Sequence, residues 1–276
     1  MKKYVQTSYD LTNGIDCFDE LPLWSAPFGM KLLEYVDYRK GITALDIGFG
    51  TGFPLTELAM RLGASSTVYG IDCWKEAIAR AKNKIAYYLI DNITIIEASA
   101  EAIPLAANAV DLVVSNNGIN NVGDMNAAIS ECARIVKAGG QFVQTMNLDT
   151  SMIEFYGVME TVLSELHMDS EIDALYRHIY QKRRPLVEVL SMLRRHGFLI
   201  KDAVQDQFAY TFADGTAMLH HYFIRLAFMG AWMNILPADR AEQIFDTIET
   251  RLNEQARLTG GMQLSIPYVV INAIKK

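Results

Sequence analysis

The densest chemical signal in the chain is the stretch Asp46-Ile47-Gly48-Phe49-Gly50-Thr51-Gly52. Alternating glycines directly after an apolar run mark a turn that passes close to a ligand, because a residue without a Cβ reaches backbone conformations closed to the others. In open α/β sheets such a strand-to-helix turn, at the carboxyl ends of the strands, seats a nucleoside cofactor. Position 53 is Phe, so the spacing departs from the GxGxxG fingerprint of dinucleotide proteins, and Asp46 stands two residues before the first glycine. A pyrophosphate is held by bare N–H groups and the positive end of a helix, whereas a carboxylate favours a ligand with a cationic end. The turn therefore points to a nucleoside cofactor carrying positive charge. A nicotinamide-dependent oxidoreductase is the alternative on the same general fold.

Asp72 closes the next apolar run, Thr67 to Ile71. A carboxylate there can accept hydrogen bonds from both hydroxyls of a ribose, and its plainer role is to cap the helix that begins near Trp74. Residues Ser115 to Asn121 are rich in amides, which suits a loop or a substrate-facing surface equally. Cys17, Cys73 and Cys132 lie far apart with no CxxC pair, so neither a metal site nor a disulfide framework is expected, and Cys73 reads as a small packing residue rather than a nucleophile. His220 and His221 fall on an apolar helix, where packing is the plainer role, as it is for His167 and His178. Arg194, Arg195, His196 and Gly197 read as the last turn and stop of a helix. Arg177 and Arg184, seven residues apart, would share a helix face if that helix ran unbroken to Pro185, and such a face could hold an anionic acceptor. A solvated face is the plainer reading.

Four segments in order, LDIGFGTG, YGID, ASAEAIPLAANAVDLVVS and ARIVKAGGQFV, span about Thr43 to Thr145. Together they resemble the class I S-adenosylmethionine-dependent methyltransferases, in particular the small-molecule group that includes the ubiquinone and menaquinone C-methyltransferases. The resemblance implies S-adenosyl-L-methionine as cofactor. Asp46, Gly48 and Gly50 would line its methionine end, Gly52 would admit a helix close behind, and Asp72 would hold the ribose. Cys73 and Trp74 would border the adenine from one side and Ile103 from the other. Ser99 stands where the family commonly has an acid, leaving the adenine amino group to its hydroxyl or to the backbone at Ala100. Asn116 would face the reacting methyl group, with Tyr9 and His220 as further candidates for acceptor contact. The reaction expected is in-line methyl transfer to a small molecule, achieved mainly by positioning, with a base needed only if the acceptor must lose a proton. A cofactor-binding protein without turnover is the remaining alternative, and Ser99 is its one sequence hint.

These residues need a scaffold, and the pattern supplies one. From 41 to 146 short β-branched runs alternate with helical periodicity, the rhythm of consecutive βαβ units and a parallel sheet. Strands are expected at Ile42–Ile47, Thr67–Ile71, Ile93–Glu97, Val110–Ser115 and Gln141–Met146. Residues 147–197 hold only helical patterns, more than one crossover requires, and are expected to form a helical cap insertion. Strand patterns resume at Phe198–Ala203, again at Gln207–Phe212, and at Leu264–Ile274, with two helices between. The fold class expected is α/β, a doubly wound, mostly parallel seven-stranded sheet in a single methyltransferase domain, with residues 1–40 as an N-terminal lid and 198–276 completing the sheet. Lys+Arg 25 against Asp+Glu 32, a formal net charge of −7, lacks the broad positive footprint of a nucleic-acid binder. The amide segment also lacks the Asn-Pro-Pro-aromatic motif of enzymes that methylate nucleic-acid amino groups. The run from His220 to Leu236 is interrupted by Arg225 and Asn234 and reads as a core helix rather than a membrane span, and a cytoplasmic protein is expected.

Overall fold

The computed structural model describes residues 24–276. Its framework is a seven-stranded sheet in the order β3-β2-β1-β4-β5-β7-β6. The strands are β1 Thr43–Ile47, β2 Thr67–Asp72, β3 Ile93–Glu97, β4 Val110–Asn116, β5 Val136–Asn147, β6 Phe198–Phe212 and β7 Met262–Lys275. The first five pair in parallel, and β7 joins β5 antiparallel. The central strands β1 and β4 are buried almost throughout, as strands covered on both faces are. Strand order reverses between β1 and β4, which makes their carboxyl ends the crevice of the fold. The two strands expected at Phe198–Ala203 and Gln207–Phe212 are one continuous strand, because Val204-Gln205-Asp206 carries the extended backbone through without a glycine or proline to turn it.

The chain divides into two compact units. Among the described residues, the sheet unit comprises 24–148, 183–206 and 268–276. It holds α1 Ser25–Glu34, α2 Leu55–Leu62, α3 Lys75–Tyr87, α4 Met125–Ile135 and α7 Leu186–Arg195. Asp124 caps α4 by accepting from the N–H groups of Asn126 and Ala127, and α7 stops at Gly197 in a left-handed conformation, as its sequence foretells. Leu45, Ile47, Val113, Phe142, Ile129, Cys132, Val189 and Leu193 form one core between the sheet and the faces of α4 and α7. Burial pushes the Cys132 thiol up, which keeps it unionised.

The helical unit comprises 149–182 and 207–267, with α5 Ile153–Glu165, α6 Asp169–Lys182, α8 Gly215–His220, α9 Tyr222–Ile224, α10 Gly230–Met233 and α11 Ala241–Thr259. A π turn, Arg225–Met229, joins α9 to α10. Its core is a ladder of rings. Trp232, fully buried, stacks on Phe155 at 3.9 Å and on Phe228 at 5.6 Å, and its indole N–H donates to the Tyr156 hydroxyl at 3.1 Å. The helical patterns of 147–197 are thus shared between the units, since α5 and α6 fall in one and α7 in the other. No helix among the described residues is long and apolar enough to cross a membrane.

Candidate functional site

The turn after β1 is built from three left-handed glycines, Gly48 at φ +73°, Gly50 at +54° and Gly52 at +112°. Their reasons differ. A Cβ on Gly48 would lie 2.6 Å from the Gly118 Cα, so this glycine lets the turns after β1 and β4 touch. Around Gly52 the nearest neighbours are Ala81 of α3 and Thr56 of α2, at ordinary contact distance. A Cβ on Gly50 would meet nothing within 4 Å among the described residues, so this residue borders space that they leave open. Asp72 tightens the turn from the next strand: one carboxylate oxygen accepts from the Gly50 N–H at 2.8 Å and the other from the Trp74 N–H at 2.9 Å. The second bond is a local turn made two residues on rather than a helix cap, because the N-cap of α3 is Trp74 itself.

Asp46 is the unusual group. It is fully buried near the end of β1, and neither carboxylate oxygen has a hydrogen-bond partner among the described residues. Burial, reinforced by the negative charge of Asp72, holds its carboxyl well above the usual carboxylate range. A buried, unpaired polar group is costly, and few native structures retain one without a use for it. The residues present therefore suit a ligand that brings a cationic, hydrogen-bonding end to Asp46 and a slender body past Gly50.

The other expected contacts are distributed around this turn. Asn116 ends β4 and is buried, and its amide is engaged at both ends: Nδ2 donates to the Ser25 carbonyl at 3.0 Å and Oδ1 accepts from the Thr145 hydroxyl at 2.8 Å. It anchors the first turn of α1 to the strand ends. Gly29 of α1 makes room for that closeness, since a Cβ there would overlap the Phe53 ring and sit 3.0 Å from the Asn116 amide nitrogen. Ser99 is exposed and donates to Glu101 at 3.0 Å, and Ala100 and Ile103 are buried beside it. The Ile103 N–H is held by Glu131 at 2.8 Å, which fixes that loop against α4. Cys73 is exposed and Trp74 half-buried. His220 ends α8 in the helical unit and is exposed, and Tyr9 lies outside the described residues. The shared face proposed for Arg177 and Arg184 does not form: α6 ends at Lys182, and Arg184, placed before Pro185 and so biased away from helix, leans on Glu188 at 3.8 Å.

Sequence reasoning passed over the close approach that positions the β4 turn. The Ser115 hydroxyl donates to the Ile47 carbonyl at 3.0 Å and accepts from the Ile119 N–H at 3.1 Å, while Gly118 leaves no room for a Cβ, which would fall 2.2 Å from that same carbonyl. A glycine inside an asparagine-rich stretch looks like loop chemistry, and only the meeting of two strand ends reveals its steric duty.

A seven-stranded doubly wound sheet with a glycine cradle and an unpaired acid at its switch point is the Rossmann-like methyltransferase fold. Residues 45–144 match the family described as "Methyltransferase domain". This segment is thus similar to methyltransferase domains, those of demethylmenaquinone methyltransferases among them. A demethylmenaquinone methyltransferase from Bacillus licheniformis is 32% identical over 153 residues, which cover 55% of this chain and 62% of the relative. The chain thus spans less than two thirds of the length of the curated relatives it matches. Among solved structures, the YcgJ protein of Bacillus subtilis has a TM-score of 0.61 at 18% identity, covering 91% of this chain and 98% of the other. Geranyl diphosphate C-methyltransferase from Streptomyces coelicolor, in complex with S-adenosyl-L-homocysteine, has a TM-score of 0.54 at 17% identity, covering 91% and 76%. Both share the fold.

Proposed function

We propose that the whole chain is an S-adenosylmethionine-dependent methyltransferase acting on a neutral, quinone-like small molecule. The observation that carries this reading is Asp46, a buried carboxylate with both oxygens unpaired at the head of a turn that borders open space at Gly50. Bound S-adenosylmethionine would supply the electrophilic methyl group. Asp46 would pair with its ammonium, the Gly50 backbone would lie along its body, and Asp72, with one lone pair still free on each bonded oxygen, would accept from the ribose hydroxyls. Cys73, Trp74, Ser99, Ala100 and Ile103 would border the adenine. The acceptor class rests on the demethylmenaquinone methyltransferases among the relatives. Arg177 and Arg184 do not lie on one helix, since α6 ends at Lys182. The chain's own task is to align the acceptor and exclude water, which can lower a barrier substantially without any covalent step.

Calorimetry with S-adenosylhomocysteine and with NAD tests the reading. S-adenosylhomocysteine should bind and NAD should not. Asp72→Ala should weaken S-adenosylhomocysteine by about 1–3 kcal/mol, the worth of charge-assisted hydrogen bonds. Unchanged affinity in that variant would remove Asp72 from the site, and tight binding of NAD alone would replace the whole reading with that of an oxidoreductase.

A further inference from the structure

Beyond the cofactor turn, the segment after β4 holds a second set of unused hydrogen-bonding atoms. Asn120 donates its amide N–H to the Asn117 side-chain carbonyl at 2.9 Å, which locks the two side chains together. What remains is a donor, Asn117 Nδ2, and an acceptor, Asn120 Oδ1, both buried and both without a partner among the described residues. Asn120 is only 7% exposed. At the end of the neighbouring strand β5, Asn147 Oδ1 is likewise buried and unpartnered, and the two strand ends are in register through Asn116 and Thr145. Asn117 is held at φ +59°, a conformation that asparagine tolerates better than other residues with a side chain but that still costs energy and tends to persist where function needs it. Gly118, between the paired asparagines, is the residue that packs on Gly48 of the cofactor turn. The amide pair is therefore fixed beside the candidate methionine end, and it carries no formal charge.

We propose that Asn117 and Asn120 form the polar subsite for the methyl acceptor, and that it takes a neutral hydroxyl in preference to a carboxylate. A hydroxyl both accepts and donates, so it suits Asn117 Nδ2 and Asn120 Oδ1 alike. A carboxylate would satisfy the donor but set its charge against a carbonyl oxygen. This rests on the cofactor reading above, and the experiment separates the two. The full-length protein is titrated first with S-adenosylhomocysteine and then, saturated with it, with 1-naphthol, 1-naphthoate and naphthalene, each a flat apolar body differing in one group. Expected is binding of 1-naphthol at least tenfold tighter than either of the others. Asn117→Gly, which suits the positive φ, and Asn120→Ala should each weaken 1-naphthol by about tenfold, while S-adenosylhomocysteine affinity stays within twofold and certifies the fold. Absence of S-adenosylhomocysteine binding overturns the cofactor reading and this proposal with it. Normal S-adenosylhomocysteine binding overturns the proposal alone if 1-naphthoate binds as well as 1-naphthol, if 1-naphthol does not bind, or if both variants keep full 1-naphthol affinity.

Discussion

The strand ends of the sheet unit and the ring ladder of the helical unit spend their hydrogen-bonding capacity in opposite ways. At the strand ends Asp46, Asn117 and Asn120 keep buried polar atoms without partners among the described residues. In the ladder, Phe155, Trp232 and Phe228 cover one another, the Trp232 N–H is taken by Tyr156, and the Tyr156 hydroxyl meets His178 at 3.4 Å. Buried valences left open lower stability and can be closed by a ligand, whereas a closed aromatic stack contributes to stability. The first region is built for binding and the second for cohesion.

The sharpest way to break that contrast is at Trp232. Trp232→Ala should cost about 3–5 kcal/mol of folding stability, read from urea unfolding, through the lost ring area, the cavity, and the unpaired Tyr156 hydroxyl. Its folded fraction should bind S-adenosylhomocysteine normally. A large loss of affinity at unchanged stability would assign the ladder a binding role.

Asp46→Asn should act in the reverse sense, weakening S-adenosylhomocysteine by about 3 kcal/mol through loss of the buried charge partner while raising the Tm of the free protein by about 2 °C or more. The sign follows from its raised carboxyl. In the unfolded chain an aspartate ionises near pH ~3.9, while in the folded chain it holds its proton to higher pH. Between the two values the unfolded state binds fewer protons, so this group's contribution to stability falls as pH rises. The asparagine variant should lose that slope in a pH series of thermal melts. At a pH where Asp46 still holds its proton, ligand binding should release it, visible as a buffer-dependent heat in calorimetry, and a variant that melts lower than the parent would mean that Asp46 already has a use in the free chain.

A smaller effect is expected at Gly50. Gly50→Ala should cost about 1–2 kcal/mol from its left-handed backbone alone, with no clash in the free protein, yet reduce S-adenosylhomocysteine affinity because its open space is filled. An alanine at Gly50 that leaves affinity untouched would move the ligand away from this turn.

Much of the framework was written in local pattern. The alternation of apolar runs and helical periods located β1 to β4 to within a residue at each end, whereas β5 begins at Val136, five residues before the expected Gln141, because no glycine or proline marks where α4 stops. Asp46, the three glycines and Asp72 stood out as candidates, since a turn that must adopt positive φ announces itself in glycine. The division into units was not legible in this way. It groups 149–182 with 207–267, and no local period records which distant helices share a core.

The sequence by itself determined the elements, their order and the residues able to meet a cationic nucleoside, because backbone sterics and hydrophobic periodicity act over a few residues. Only the tertiary structure decided what those residues do to one another. Asp72 turned out to bind the cradle through Gly50 and Trp74, Asn116 to anchor α1 through Ser25, and Gly118 to press on the Ile47 carbonyl. It also decided that Asp46 and the Asn117–Asn120 pair remain unsatisfied. Whether a buried polar atom has a partner depends on every element packed around it, and that information is spread across strands far apart in the chain.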